Sequence, residues 1–171
     1  RQRAPRKVLV LDLDNTIWGG VIGDDGLEGI ELGASSPRGE AFRAFQSYAL
    51  ALRRRGVLLA VCSKNHPETA LAPFERHPEM LLRRNDISSF QASWEPKPEG
   101  LRAIARELNL GLDSLVFVDD NPAEIAIVER FLPEVTAILL GPDPADYVAQ
   151  LADARCFEPQ GLVTGEDLAR A

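Results

Sequence analysis

Two carboxylates, Asp12 and Asp14, stand i, i+2 at the end of the apolar run Val8-Leu9-Val10-Leu11. On an extended backbone that spacing turns both to one side. Anions gathered at the end of a buried strand repel each other and resist desolvation. They serve a cation or a reacting group there, or they cap a solvated loop. Three more polar clusters follow similar apolar stretches: Cys62-Ser63-Lys64-Asn65, then Lys97 in Trp94-Glu95-Pro96-Lys97, and Asp119-Asp120. Carboxylates, a hydroxyl and an ammonium are the groups that hold a hard divalent cation and the oxygens of a phosphate. Separately, Ser63 can cap the next helix and Lys97 can be a surface lysine that begins one.

The surrounding pattern predicts what must position these groups. Strands are expected over 7–13, 57–62, 87–94, 115–118 and 135–140, nearly all of them apolar at most positions. Such runs suit strands covered on both faces. Helices are expected from Pro37 to the stop at Gly56, and over 68–75, 98–108, 122–131 and 144–152. Prolines at several starts and glycine or asparagine at the ends support those limits. This alternation predicts an α/β fold, a Rossmann-like parallel sheet with helices on both faces and right-handed crossovers. Functional groups then gather beyond the carboxyl ends of the strands. The stretch 17–37 holds six glycines and an Asp25-Gly26 turn signal, predicting a hairpin or flap beside the first strand end. No insertion of cap-domain size follows the first cluster or separates the second from the third.

Bulk properties narrow the class. The chain has 171 residues, a net charge of −7 and a pI near 4.9, which argues against non-specific binding of nucleic acid or membranes. No apolar run is long enough for a transmembrane helix, and the N-terminus does not resemble a signal peptide. Two cysteines, Cys62 and Cys156, cannot make a disulfide framework, so a reduced, cytoplasmic setting is expected. His66 and His77 lack metal-ligand spacing, and no zinc site is expected. Residues 1–171 read as one domain cut from a longer polypeptide, with a catalytic core over 7–140 and a tail from 157. In that tail Gly165-Glu166-Asp167-Leu168 reads as a helix start.

The order Asp12-x-Asp14-x-Thr16, Ser63, Lys97 and Asp119-Asp120 resembles the haloacid dehalogenase (HAD) superfamily of phosphotransferases over roughly residues 7–140. More narrowly, four strings resemble its FkbH-like branch, subfamily IIIC. They are Asp12-Leu13-Asp14-Asn15-Thr16-Ile17-Trp18-Gly19-Gly20, Cys62-Ser63-Lys64-Asn65, Trp94-Glu95-Pro96-Lys97 and Phe117-Val118-Asp119-Asp120-Asn121-Pro122. Members of that branch load a glyceryl unit from 1,3-bisphosphoglycerate onto an acyl carrier protein in polyketide biosynthesis. The resemblance implies a HAD-type core with a small flap and no large cap domain. It places Asp12 as nucleophile and Asp14 as general acid–base. Mg2+ would be held by Asp12, Asp119, the backbone carbonyl of Asp14, and Asp120 directly or through water. Ser63 and Lys97 would bind the phosphate. Thr16 and Lys64 would also border the substrate, with Asn15 and Asn65 contacting the glyceryl group; Trp18, next to Gly19-Gly20, either walls the pocket on the flap or is ordinary packing.

Cys62 separates the readings. A simple phosphatase needs no thiol beside its phosphate-binding serine, whereas an acyl phosphate offers a carbonyl that a thiolate attacks to give a thioester. Lys64, Lys97 and Mg2+ would lower such a thiol's pKa. The plain alternative is a small buried hydrophobe at a strand end. Cys62 and Ser63 are adjacent, so in a strand their side chains diverge unless the chain turns at Cys62. Three functions stay open: glyceryl transfer through a Cys62 thioester, plain Mg2+-dependent phosphatase action, or a receiver-like module that binds phosphate without turnover. Receivers place the acceptor aspartate after the middle strand, where this chain has Trp94-Glu95-Pro96-Lys97.

Overall fold

The computed structural model describes residues 5–158. Its strands are β1 (Val8–Leu11), β2 (Leu58–Lys64), β3 (Ser89–Ser93), β4 (Leu115–Asp119) and β5 (Thr136–Leu139). They form one sheet in the order β3-β2-β1-β4-β5, every neighbouring pair parallel. The helices are α1 (Ile22–Gly29), α2 (Pro37–Arg54), α3 (Pro67–Arg76), α4 (Lys97–Leu108), α5 (Pro122–Phe131) and α6 (Tyr147–Ala154).

Side-chain alternation along the strands builds two cores. Val8, Val10, Ala60, Cys62, Leu115 and Phe117 pack with Leu101 and Ile104 of α4 and with Ile125 and Val128 of α5. Their neighbours Leu9, Leu11, Leu59, Val61, Val116 and Val118 pack on the other face with Phe42 and Phe45 of α2, Phe74 of α3 and Tyr147 of α6. Covering both faces is what a parallel sheet requires, and it explains the unbroken apolar runs. Leu11 pairs with Val61 and with Val118. One residue further on, Asp12, Cys62 and Asp119 therefore stand level at the carboxyl edge.

Local chemistry sets the helix starts. Ser36 Oγ accepts from the Gly39 N–H at 2.9 Å, with Pro37 at the first helical position of α2. Asn121 Oδ1 accepts from the Ala123 N–H at 2.9 Å and caps α5 in the same way. Three expectations differ from the structure. The glycine-rich stretch is not a hairpin but the short α1, closed off by an antiparallel bridge between Gly19 and Glu31. The expected Asp25-Gly26 turn is the kink inside α1, where Gly26 leaves the helical region at φ 71°, and Asp25 Oδ2 accepts from the Val21 N–H at 2.8 Å. β2 runs to Lys64, two residues past its expected end, because Cys62, Ser63 and Lys64 pair with Gln91, Ala92 and Ser93 of β3. Pro144–Asp146 form a 3-10 turn, and α6 proper begins at Tyr147. The expected helix start at Gly165 lies outside the described residues. Among the described residues no helix is long and apolar enough to cross a membrane.

Candidate active site

At the edge where the strand ends stand level, Lys97 opens α4 with its ammonium reaching back over the sheet. Its Nζ donates to Asp12 Oδ1 at 2.9 Å, to Asp119 Oδ2 at 3.0 Å and to the Cys62 carbonyl at 3.2 Å. Burial works against this ammonium, but Asp12 and Asp119 outweigh it and hold the pKa above the ordinary lysine value. One oxygen from each of Asp12, Asp119 and Asp120 lies within 4.8 Å of the others. Burial is the largest cause pushing the Asp12 carboxyl up to about 8; Asp119 and Asp120 add to it, while Lys97 opposes it. Burial, with Asp119 alongside, pushes Asp120 up to about 6. Thr16, fully buried, places Oγ1 3.3 Å from both Asp12 Oδ2 and Asp120 Oδ1.

Asp14 is fixed by three donors. Its Oδ1 accepts from Trp18 Nε1 at 3.0 Å and from the Ile22 N–H at 2.9 Å, and its Oδ2 accepts from Asn65 Nδ2 at 3.0 Å. The short α1 segment thus orients a site carboxylate. Asn15 turns the chain after β1 with a left-handed φ of 60°. Its Oδ1 accepts from the Gly20 N–H and its carbonyl from the Tyr147 hydroxyl, each at 2.8 Å.

Between these groups lies a cleft of about 190 Å³, and Asp12, Asp14, Asn15, Ser63, Lys64, Lys97, Asp119 and Asp120 all line it. Asn121 and Glu124, which the sequence reading passed over, complete its wall from the first turn of α5. A signal existed: Glu124 follows Asp120 by four residues in a chain that must turn back over the strand end. Lys64 Nζ lies 3.4 Å from Glu124 Oε2.

Four expected site residues are not brought to the cleft wall. Thr16 acts from beneath Asp12. Trp18 is fully buried, packs edge-to-face on Phe74 at 6.2 Å and supports Asp14 instead of walling a pocket. Asn65 commits both protons of its amide nitrogen to Asp14 and Ser63. Cys62 is the main correction. Its Sγ donates to the Lys97 carbonyl at 3.6 Å, beneath the first turns of α4. A Cβ on Gly100 would stand only 2.6 Å from that sulfur, so α4 closes directly over the thiol. Burial pushes the thiol up to about 12, Lys97 opposing only in part.

The family profile of haloacid dehalogenase-like hydrolases matches residues 19–131. The N-terminal part of a Bacteroides fragilis protein, containing a phosphatase domain complexed with Mg, superposes with a TM-score of 0.89 and 49% identity over 91% of this chain. The chain belongs to the haloacid dehalogenase-like hydrolase family. It spans 42% of the length of that B. fragilis chain. Two more distant members share the fold. One is a HAD-superfamily hydrolase of subfamily IA from Geobacter sulfurreducens, with a TM-score of 0.55 and 13% identity over 90% of this chain and 98% of its own. The other is a HAD family enzyme from Bacteroides thetaiotaomicron in complex with magnesium and inorganic phosphate, with a TM-score of 0.53 and 14% identity over 78% of this chain and 93% of its own. No curated protein matches the sequence.

In this haloacid dehalogenase-like hydrolase the donor set fits a hard divalent cation. The cluster holds only carboxylates, without imidazole or thiolate, and its one buried ammonium pairs with Asp12 and Asp119, leaving Asp120 without a cation among the described residues. The upward shifts of Asp12 and Asp120 come first from burial and then from the neighbouring carboxylates, and a cation among these oxygens would oppose both. Glu124 Oε1, buried on the cleft wall without a hydrogen-bond partner, is a further acceptor suited to an ion's water shell.

Proposed function

We propose that the chain is a Mg2+-dependent phosphomonoester hydrolase. The observation that carries this reading is Asp12 at the floor of the cleft, 2.9 Å from the Lys97 ammonium, with Asp14 fixed on the same wall. One Asp12 oxygen attacks phosphorus as the bond from phosphorus to the ester oxygen breaks. Protonated Asp14 gives its proton to that departing oxygen, releasing an alcohol. A water then passes a proton to Asp14, its oxygen attacks phosphorus, and the bond to Asp12 breaks to release phosphate. Ser63 and Lys97 bind the phosphoryl oxygens and oppose their charge. Asp12, Asp119, Asp120 and the Asp14 backbone carbonyl would hold Mg2+, which when bound would offset the charge that keeps a carboxylate from a phosphate dianion. The Mg-bound B. fragilis phosphatase-domain neighbour at 49% identity supports the choice of ion.

Glyceryl transfer from 1,3-bisphosphoglycerate to an acyl carrier protein needs the Cys62 thiolate within reach of a carbonyl. A thiol 3% exposed, facing α4 and pushed up to about 12, favours hydrolysis instead. The third strand in chain order, β3, leads into Trp94-Glu95-Pro96-Lys97 and not into an acceptor aspartate, which likewise favours turnover over a receiver-like role. The proposal treats 7–140 as the catalytic core and 157–171 as a tail. Its test is phosphate release from a panel of small phosphomonoesters with Mg2+. Asp12→Asn should abolish release and Cys62→Ala should preserve it. A wild-type protein that binds Mg2+ yet releases no phosphate, or a folded Cys62→Ala variant that is inactive, would overturn the reading.

A further inference from the structure

We infer that Asn65 is a positioning residue that ties the phosphate anchor Ser63 to the acid–base carboxylate Asp14 and dictates which way the Ser63 hydroxyl points. The hydrolase reading enters only through the tasks assigned to the two tied groups. Asn65 follows the last residue of β2 and is 3% exposed. Its Nδ2 lies 3.0 Å from Asp14 Oδ2 and 2.9 Å from Ser63 Oγ. A primary amide nitrogen carries two protons, and these two contacts take both. While Asp14 is ionised, reversing the amide would set Oδ1 against an oxygen of Asp14, two acceptors facing each other with no proton between them. Asp14 Oδ1 already accepts from Trp18 Nε1 and the Ile22 N–H, so this carboxylate is built to receive protons from the groups around it.

Ser63 Oγ is therefore the acceptor of its bond with Asn65. A hydroxyl has one proton of its own, and among the described residues no side chain or carbonyl accepts it. Ser63 is 4% exposed and lines the cleft, so that proton is presented to an anion bound there. Without the amide, no side chain holds the Ser63 hydroxyl in this orientation, and its proton is no longer directed at the bound anion. The same loss releases Asp14 Oδ2. One amide outside the cleft thus governs both phosphate binding and proton transfer by holding Ser63 and Asp14, without touching the substrate.

The test is a double-mutant cycle with two readouts. Binding of inorganic phosphate in the presence of Mg2+ is measured by calorimetry, and kcat and KM are measured with p-nitrophenyl phosphate. Ser63→Ala and Asn65→Ala should each weaken phosphate binding about tenfold, the scale of one hydrogen bond to an anion. The double variant should bind phosphate no more weakly than Ser63→Ala alone, because Asn65 acts on phosphate through that hydroxyl. The kcat loss of Asn65→Ala should persist in the Ser63→Ala background, since it runs through Asp14. Asn65→Asp should be worse than Asn65→Ala, because it sets a second carboxylate against Asp14. Phosphate losses that multiply in the double variant, or an Asn65→Ala protein with unchanged phosphate affinity, would overturn the inference. A merely structural role would lower stability and weaken binding equally in both backgrounds, which also overturns it. If the wild type shows no turnover while phosphate binding follows the cycle, the hydrolase reading fails and the tie between Asn65 and Ser63 stands.

Discussion

Mg2+ is expected to stabilise the metal-free protein, and to do so more strongly as the pH rises. Asp12 and Asp120 sit at about 8 and about 6 in the folded chain, above their ordinary value of 3.8. The folded, metal-free protein therefore holds protons that the unfolded chain has released. Their stabilising contribution is complete below the ordinary carboxyl value and is lost as the pH climbs through the two folded values. Mg2+ competes with those same protons, so it binds weakly in acid and fully once both groups are ionised. At a free concentration one hundred times its dissociation constant, an ion bound only by the folded state adds about 2.7 kcal/mol. For a chain of this size each kcal/mol raises the melting temperature by about 2–4 °C, so the expected gain is about 5–10 °C above the higher pKa. The assay is thermal unfolding of chelator-treated protein, titrated with Mg2+ across a pH series. Asp12→Asn should raise the metal-free melting temperature at alkaline pH, because it removes a buried anion, and should shrink the gain from Mg2+. A gain that is independent of pH or larger in acid would refute the argument. So would the absence of any gain at saturating Mg2+ above the higher pKa.

Other expectations follow from single contacts. Asp12→Asn should lower kcat by about a thousandfold or more, measured as phosphate release, because it removes the attacking oxygen without an alternative nucleophile on the cleft floor. Cys62→Ala should leave kcat/KM within about threefold, and Cys62 in the native wild type should resist a thiol-reactive dye until the protein unfolds. Gly100→Ala should destabilise by about 1–3 kcal/mol in denaturant titration, because its Cβ would meet Cys62 Sγ at 2.6 Å. In the Cys62→Ala background that penalty should largely vanish, since the nearest remaining atom of residue 62 would be 4.0 Å away.

Much of the site was legible because a parallel sheet has only one edge where polar strand ends can be used. Apolar runs ending in Asp12, Ser63 and Asp119 pointed to that edge, and the level register of β1, β2 and β4 brings them together. α5 begins and ends where its sequence indicates, since Asn121 caps it and Pro122 occupies the first helical position. Glycine content misread the stretch after β1 because Asp25 accepts from Val21, stabilising a helical turn that glycines alone do not announce. Asn65 read as a substrate contact because its type suits one; only the fold shows its amide committed inward.

The decisive unread feature was how far β2 extends, which settles the parity of Cys62 and Ser63. Adjacent residues in a strand face opposite ways, so Cys62 and Ser63 can share a pocket only if the strand ends between them. Three register pairs, Cys62 with Gln91, Ser63 with Ala92 and Lys64 with Ser93, keep it extended past that point. Ser63 consequently reaches the cleft beside Asn65, while Cys62 continues the row of Ala60 into the core beneath α4. Bringing the thiol to the cleft would break that pairing and leave a void where Gly100 closes over the sulfur. Removing the thiol from the reaction disturbs neither the Asp12–Lys97 contact nor the hold on Asp14. The sheet register, more than the presence of a cysteine in the motif, therefore favours hydrolysis over thioester transfer.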